Sequence, residues 1–558
     1  MTTDEQRHHT DTVNVATRLR RMAELGPYQR AVVAPVGRDA KGRVTYAHLT
    51  FRQLDEASDR LAHGLESIGI RRGTRTVLMV KPCLEFFTLT FALFKTGAVP
   101  VVVDPGMGVD RMLQCLQESR PHGFIGIPLA HMLRTIRPGY FKSVQSWVTV
   151  GRRWFWGGHT LDELMARPGS TYAIAETHDA ETAAILFTTG STGPAKGVVY
   201  THGIFDAQVK SIRRQFSIEP GEIDLPTFPL FALFDPALGM TAVIPDMDPT
   251  RPAKVNPRKI IEAVLNQGVT NMFASPALLN RVGRYGRRNG IILPSLKRVI
   301  SAGAPTLPVY VEQFSTMLCG DAQVFSGYGA TEAMPVSSIG GKEILSETRY
   351  VSEKGGGTCV GRPVNGMRVR MLSITDDPIP EWSSDVTVSR GEIGEIAVQG
   401  KLATPGYFER PGEDAGSKIR DGDGFWHRMG DLGWLDDQGR IWFCGRKGHR
   451  VVTENGTLFT IPCEAIFNNH PKVFRSALVG VGPKRNQEPV MCVELEKGVP
   501  AESRPNIEQE LLNLARDSEL TRTIQTVLFH HEFPVDIRHN SKIFREELAL
   551  WAATKLGR

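Results

Sequence analysis

The run Thr188-Thr-Gly-Ser-Thr-Gly-Pro-Ala-Lys196-Gly197 constrains this chain more than any other stretch. It follows the short apolar segment Ala183-Ala-Ile-Leu-Phe187, which reads as a buried strand. A buried strand that opens into hydroxyls and glycines sets a donor-rich loop at a sheet edge. Such a loop closes over phosphates with backbone N–H groups, Ser and Thr hydroxyls and one ammonium. It is not a Walker A loop. Counted from Gly190, Ala195 stands where the second Gly belongs, and Lys196 is followed by Gly rather than Ser or Thr. The competing reading is a solvated surface turn.

Around this loop, helices alternate with short apolar strands. Leu54–Ile68 is helical in period, Thr76-Val-Leu-Met-Val80 reads as a strand, Leu84–Phe94 as a helix and Val101-Val-Val-Asp104 as a strand. The rhythm returns at Thr270–Ala274, a helix to Arg288 and the strand Arg298-Val-Ile-Ser301. Repeated βαβ units predict an α/β fold of helix-covered, mostly parallel sheets. At 558 residues the chain is too long for one core. Past residue 355, Gly355-Gly-Gly357, Gly361, Gly366 and the alternating run Glu392-Ile-Gly-Glu-Ile-Ala-Val398 predict a β-rich subdomain with tight turns. Gly439-Arg-Ile-Trp-Phe-Cys-Gly445 reads as a strand. Gly445-Arg-Lys-Gly-His-Arg450 reads as a linker, with a small α+β domain of about 110 residues beyond it.

Lys and Arg exceed Asp and Glu by only six, 66 against 60, and the basic clusters Arg18-Leu-Arg-Arg21 and Arg284-Tyr-Gly-Arg-Arg288 lack an aromatic platform, so no nucleic-acid partner is expected. Seven cysteines without a C-x-x-C pair exclude a disulfide framework or zinc site and fit a reduced cytoplasm. The polar N-terminus carries no apolar signal, and the apolar stretch Phe86–Phe94 is too short to span a bilayer and is stopped by Lys95. Residues 11–25 read as an amphipathic helix. Core packing is its first use, while Arg18, Arg20 and Arg21 leave open a loose association with a membrane or with pathway enzymes.

Four further motifs follow in order. In Ser326-Gly-Tyr-Gly-Ala-Thr331-Glu332, Tyr can face a base, Thr can bond a phosphate and Glu can hold Mg²⁺. Ser301-Ala-Gly-Ala-Pro305 opens a strand end onto small residues. Trp426-His-Arg-Met-Gly-Asp431 offers a carboxylate to ribose hydroxyls, and Lys542 stands in Asn540-Ser-Lys-Ile543. In this order the sequence resembles the AMP-forming adenylating enzymes: acyl-CoA synthetases, nonribosomal peptide adenylation domains and luciferases. The resemblance spans roughly residues 46–548 and includes Leu49-Thr-Phe-Arg-Gln-Leu54 and Lys95-Thr-Gly-Ala-Val-Pro100. It implies an adenylate-forming domain over 1–445, a hinge over 446–450 and a mobile C-terminal domain over 451–558. It also implies ATP and Mg²⁺. Thr188, Thr189, Gly190, Ser191, Thr192, Gly193 and Lys196 would close on the ATP phosphates. Thr331 would contact the α-phosphate and Glu332 would hold Mg²⁺. Tyr328, Gly329, Gly303, Ala304 and Pro305 would bracket adenine, Asp431 and Arg446 would hold the ribose, and Lys542 would bridge carboxylate and phosphate.

The departures from that family concern CoA. Its ligases usually carry aromatic-Pro-Leu-Phe-His, which here reads Phe228-Pro-Leu-Phe-Ala232. Gly448 and His449 stand where a Lys and an acidic hinge residue are usual. Val451-Val-Thr-Glu-Asn-Gly456 is one residue out of step with a Gly-aromatic pair at the pantetheine tunnel. The adenylating half-reaction is expected intact and the CoA step is not. Phe228–Phe234, Asp235–Met240, Pro245–Pro252 and Trp426–Asp431 resemble the β-lactone synthetases of bacterial long-chain olefin biosynthesis. These adenylate a 3-hydroxy acid and let its own hydroxyl displace AMP. A long-chain fatty acyl-CoA ligase is the alternative, and a silent adenylation-fold binding protein a third reading. Phe228, Phe231, Phe234 and Met240 are candidates for an acyl channel, with plain core as the competing reading. Asp235 is the candidate reader of an ammonium, an Asp-Pro turn its competitor. His202 and His449 are candidate bases for ring closure. The small-molecule partner expected is a long-chain carboxylic acid.

Overall fold

The computed structural model describes residues 12–166, 170–188, 195–535 and 542–558. One sheet has seven strands in the spatial order His159–Thr160, Ser146–Thr149, Gly123–Gly126, Arg75–Met79, Val99–Val103, Thr182–Thr188 and Lys196–Thr201. Its neighbours are parallel except the last pair. Parallel neighbours need crossover connections, and the helices Leu84–Thr96, Val109–Ser119 and Pro128–Ile136 supply three of them. Leu84–Thr96 is buried along almost its whole length, which is why its sequence is apolar all round.

Lys95 stands in the last turn of that helix, where the apolar run stops, yet it is wholly buried, and its ammonium donates to Asp55 Oδ1 and Asp59 Oδ1, both at 2.6 Å. Arg20 donates to the same two carboxylates at 3.0 and 2.6 Å, and Arg18 pairs with Asp206. These arginines therefore face inward, and the N-terminal helix packs Leu19 and Met22 into the core. That helix spans Ala16–Leu25 rather than 11–25. Asn14 Oδ1 accepts from Ala16 N at 3.0 Å while Val13 N is bonded to Thr177 O, which holds the preceding residues extended.

A second sheet begins at Val44–Thr50 and runs through Arg30–Arg38, Thr241–Val243, Ile223–Pro226, Asn271–Ala274, Arg298–Ser301 and Gln323–Ala330. It continues through Ala333–Gly340, Thr358–Pro363, Ile441–Arg446, Gly424–Leu435, Gly394–Gly400 and Met367–Leu372. The central strands are parallel and those from Ala333 onward antiparallel. The β-rich part expected after residue 355 is thus a wing of the large sheet rather than a sheet of its own, joined where Ser337 pairs with Pro363 and Ser338 with Arg362.

The strand Ile441–Arg446 ends at Arg446, and Lys447–His449 make one 3₁₀ turn. Lys447 Nζ donates to Glu395 at 3.0 Å and Arg450 pairs with Asp376 at 2.8 Å, whereas His449 Nε2 lies 3.4 Å from Glu546. Beyond it, the strands Val473–Val481, Glu488–Leu495 and Thr526–Phe529 pair with one another, accompanied by the helices Thr460–Asn468, Arg504–Arg516 and Arg545–Lys555. Phe467, Leu478, Met491 and Leu511 form one apolar cluster there, and Val479, Val490, Leu548 and Ala552 another. The seven cysteines are free, five of them buried. Among the described residues no helix is long and apolar enough to cross a membrane.

Candidate active site

The strand Thr182–Thr188 delivers the phosphate-loop sequence to the rim of the first sheet. Thr189, Gly190, Ser191, Thr192 and Gly193 lie outside the described residues, which resume at Ala195. Lys196 opens the returning strand. Its ammonium pairs with Glu413 and stands 5.0 Å from the centre of the Tyr407 ring.

Thr331 and Glu332 form the two-residue turn between Gln323–Ala330 and Ala333–Gly340, with Ala330 opposite Ala333. Gly329 lets this turn tighten, because a Cβ there would stand 2.8 Å from Ala333 O. Backbone bonds anchor both turn residues: Tyr200 Oη donates to Thr331 O at 2.7 Å, and Thr404 N donates to Glu332 O at 2.8 Å. The Glu332 carboxylate accepts from Tyr407 Oη at 2.9 Å. Burial, and then the Glu332 charge, push the Tyr407 phenol above its ordinary value and keep it a donor.

The segment 403–408 stitches the two sheets together here. Ala403 bridges Ala333, Val199 N donates to Gly406 O at 3.1 Å and Phe408 N donates to Gly197 O at 2.7 Å. The strand behind Lys196 and the turn that carries Glu332 are thereby held side by side. Lys418 completes the group. Its ammonium donates to Thr404 O, and burial pushes it down to about 8 while Glu332 and Asp414 act in the opposite direction.

A second network joins Tyr328, Asp431 and Arg446. Asp431 and Arg446 are register partners on adjacent strands, and Arg446 Nη1 donates to Asp431 Oδ1 at 2.7 Å. Tyr328 Oη donates to Asp431 Oδ2, also at 2.7 Å. The Asp431 charge, more than burial opposes it, holds the Arg446 guanidinium above its ordinary value, whereas burial raises the Tyr328 phenol. Gly303, Ala304 and Pro305 follow Arg298–Ser301, and Gly303 takes φ 95° in the turn. Ser301 is in register with Ser326, so this turn and Tyr328 leave neighbouring parallel strands at the same end. Lys542 is exposed on the C-terminal unit, beside Ile543, which bridges Val535.

Phe228, Phe231 and Phe234 are half-buried and in series, with ring centroids 5.4 and 6.5 Å apart, and Phe231 stacks on Phe273 at 4.2 Å. Met240 is wholly buried in the core cluster with Leu238 and Ile244 and offers no surface to a channel. Asp235 neither reads an ammonium nor forms an open Asp-Pro turn. It lies in the short helix Phe234–Leu238, buried against Asp224, which also accepts from Asn271 Nδ2. Burial, then the charge of Asp224, push Asp235 far up, and burial raises Asp224 as well. His202 is a poor candidate base. It is wholly buried at the start of the helix His202–Phe216, and burial pushes it down to about 4. Neither of its ring nitrogens finds a partner among the described residues.

Tyr407, Thr404, Tyr200, Glu413 and Lys418 escaped the sequence reading. Tyr407 and Glu332 are 75 positions apart, and no hydropathy period links them. The one available cue was Gly406-Tyr407 within an otherwise unpatterned loop.

Residues 19–408 match the AMP-binding enzyme family. The chain is 48% identical over 551 residues to an olefin β-lactone synthetase of Xanthomonas campestris pv. campestris, covering 98% of each protein. It is 48% identical over 552 residues to an olefin β-lactone synthetase of Stenotrophomonas maltophilia, covering 97% of this chain and 98% of that protein. Its fold superposes on the solved structure of the anthranilate CoA ligase AuaEII with a TM-score of 0.80 at 17% identity, covering 98% of this chain and 99% of that one.

Proposed function

The chain belongs to the AMP-binding enzyme family and is an AMP-forming synthetase, and on that premise we propose that it converts a long-chain 3-hydroxy acid to a β-lactone. The observation that carries this reading is 48% identity over nearly the whole chain to two olefin β-lactone synthetases.

In the first step the substrate carboxylate attacks the α-phosphorus of ATP and pyrophosphate leaves. The loop 188–197 and Thr331 hold the phosphates, while the Tyr328–Asp431–Arg446 network, already joined by hydrogen bonds, takes the nucleoside. Two anions must approach each other, so fixed positive charge at the α-phosphate lowers the barrier. Lys542 supplies it when the C-terminal unit, 451–558, is swung in about the hinge 446–450 from the adenylate-forming domain, 1–445. In the second step the substrate's 3-hydroxyl oxygen attacks the acyl carbon, AMP leaves with the electron pair of the anhydride bond, and the hydroxyl proton is lost to a base. Closing a four-membered ring is strained, but the hydroxyl is tethered to its target, and well-oriented intramolecular reactions reach effective molarities of about 10⁵ M or more. His449, in the hinge turn beside Glu546, is the remaining histidine candidate for the base.

Among the described residues no cluster of three or more His, Cys, Asp or Glu side chains forms a cage for a metal. A lone carboxylate such as Glu332 fits Mg²⁺, which binds through one or two carboxylates and fills its shell with phosphate oxygens and water. Bound there with ATP, Mg²⁺ would neutralise phosphate charge, and Tyr407 would orient the Glu332 carboxylate towards it.

Pyrophosphate release tests the reading. A long-chain 3-hydroxy acid should sustain turnover without CoA. The same acid lacking its hydroxyl should give one burst equal to the enzyme present and then stall as bound acyl-AMP. Equal sustained turnover of both acids without CoA would count against ring closure.

A further inference from the structure

The stretch from Ser119 to Leu161 contains no Asp or Glu and six basic residues: Arg120, Arg134, Arg137, Lys142, Arg152 and Arg153. Two of these have acidic partners from elsewhere, Arg120 with Glu409 and Arg153 with Glu163. The stretch also carries four of the chain's exposed large apolar side chains. Leu129 is 70% exposed and Ile136 66%, seven residues apart and so on one face of the helix Pro128–Ile136. Trp154 is 52% and Phe155 76% exposed, on the loop that follows the strand Ser146–Thr149.

Helix and loop form one surface. Trp156, buried beneath the loop, stacks on His131 of the helix at 5.5 Å, and Arg134 donates to Gly157 O at 3.1 Å. Trp154 and Phe155 pack on Trp156 at 5.3 and 5.1 Å, so they are fixed outward on a rigid base. A folded chain does not leave a Trp, a Phe, a Leu and an Ile together in water without a use for them. Arg137, next to Ile136, and Arg152, two residues before Trp154, are exposed as well.

We propose that this face, Leu129 and Ile136 beside the loop Arg152–Phe155, rests on an anionic lipid surface. Aromatic side chains settle at the level of lipid headgroups, where a ring meets both apolar and polar surroundings. Arg137 and Arg152 complement the negative headgroups. The site is distinct from the N-terminal helix, whose Arg18 and Arg20 are committed to internal carboxylates. The strands Gly123–Gly126 and Ser146–Thr149 run parallel to Thr182–Thr188, so their C-terminal ends lie on the rim that carries the phosphate loop. Four strand spacings of about 4.8 Å put the two roughly 20 Å apart along that rim. A docked molecule would hold the adenylation loop close to the lipid. The inference rests on this surface alone and holds whichever acid is activated.

Flotation of the full chain with lipid vesicles tests it. The protein should float with vesicles of phosphatidylcholine mixed with phosphatidylglycerol, less with phosphatidylcholine alone, and should be released by high salt. Arg137→Glu with Arg152→Glu should weaken binding to the anionic vesicles by about fivefold or more per charge. Trp154→Ser with Phe155→Ser should weaken binding to both kinds of vesicle. Pyrophosphate exchange with a water-soluble acid should persist in both double variants, which shows that the fold is intact. A wild-type chain that does not float with the anionic vesicles overturns the proposal, as do variants that float like wild type. Capture of an acidic protein in place of vesicles would assign the face to a protein partner and overturn it equally.

Discussion

Glu332 is positioned by a hydrogen bond from Tyr407 and by the backbone of a two-residue turn, and these separate two ways of disturbing it. If Glu332 holds Mg²⁺, Glu332→Gln removes a charged oxygen ligand, so the Mg²⁺ concentration for half-maximal pyrophosphate exchange should rise by about tenfold or more, with little change in the half-saturating acid. Tyr407→Phe leaves the charge and removes only its orientation, so the same titration should shift in the same direction by less. An unchanged Mg²⁺ titration in Glu332→Gln would make this Glu structural. The buried carboxyls of Asp224 and Asp235 give a pH prediction. In the unfolded chain both ionise near pH 4, at about 3.9. In the fold, burial and then the charge of Asp224 hold Asp235 protonated to much higher pH, and burial raises Asp224 too. Above about pH 4 the native chain therefore binds more protons than the unfolded one, so the pair's contribution to stability is present in acid and is lost as pH rises through the folded values. Asp235→Asn keeps the shape without the titration. Its melting temperature should fall less than that of wild type from about pH 6 to about pH 9. Parallel curves would place the proton elsewhere.

Gly361 sits on the strand Thr358–Pro363, where the antiparallel wing joins the rest of the large sheet. It adopts φ 83°, and a Cβ there would run into the carbonyl of Ser338 on the neighbouring strand. Gly361→Ala should cost at least about 1–2 kcal/mol from the left-handed backbone alone, read as a lower denaturation midpoint. A neutral result would mean that the joint bends freely. At this scale the sequence was most legible where structure is local. Arg298–Ser301 coincides with its expected strand, and Asn271–Ala274 and the helix Leu84–Thr96 lie within a residue or two of theirs, because buried parallel strands and their crossover helices read as unbroken apolar runs. Lys95 does end the apolar run, but its burial could not be read locally, because only the distant Asp55 and Asp59 make it tolerable. The continuity of the wing with the large sheet, and the stitch 403–408, depend on pairings between segments far apart in the chain. No local period records those pairings. Thr331, Glu332, Tyr328, Asp431 and Arg446 could be named because each sits in a motif, whereas their mutual hydrogen bonds and the supporting Tyr407 and Tyr200 could not.

Across the whole molecule the groups proposed to face the nucleotide are split. Tyr328, Asp431 and Arg446 belong to the large sheet, and Lys542 to the unit beyond the turn Lys447–His449. If that unit delivers charge to the α-phosphate, Lys542→Ala should slow pyrophosphate exchange by about 10²-fold or more while leaving ATP binding nearly unchanged. Normal exchange would remove Lys542 from the reaction. The same division would let the second step proceed once the lysine had withdrawn. Ala232, wholly buried, Gly448-His449 and Val451–Gly456 are the three places where the sequence departs from the pattern that its resemblance to CoA ligases implies. On the proposed reading the acid's own hydroxyl takes the place of an external thiol. Enzyme, ATP, Mg²⁺ and a long-chain 3-hydroxy acid should be incubated with and without CoA and the products weighed by mass spectrometry. AMP and a product lighter than the acid by one water should form equally in both reactions. AMP release that depends on CoA, with an acyl thioester as the only new acyl product, would contradict it.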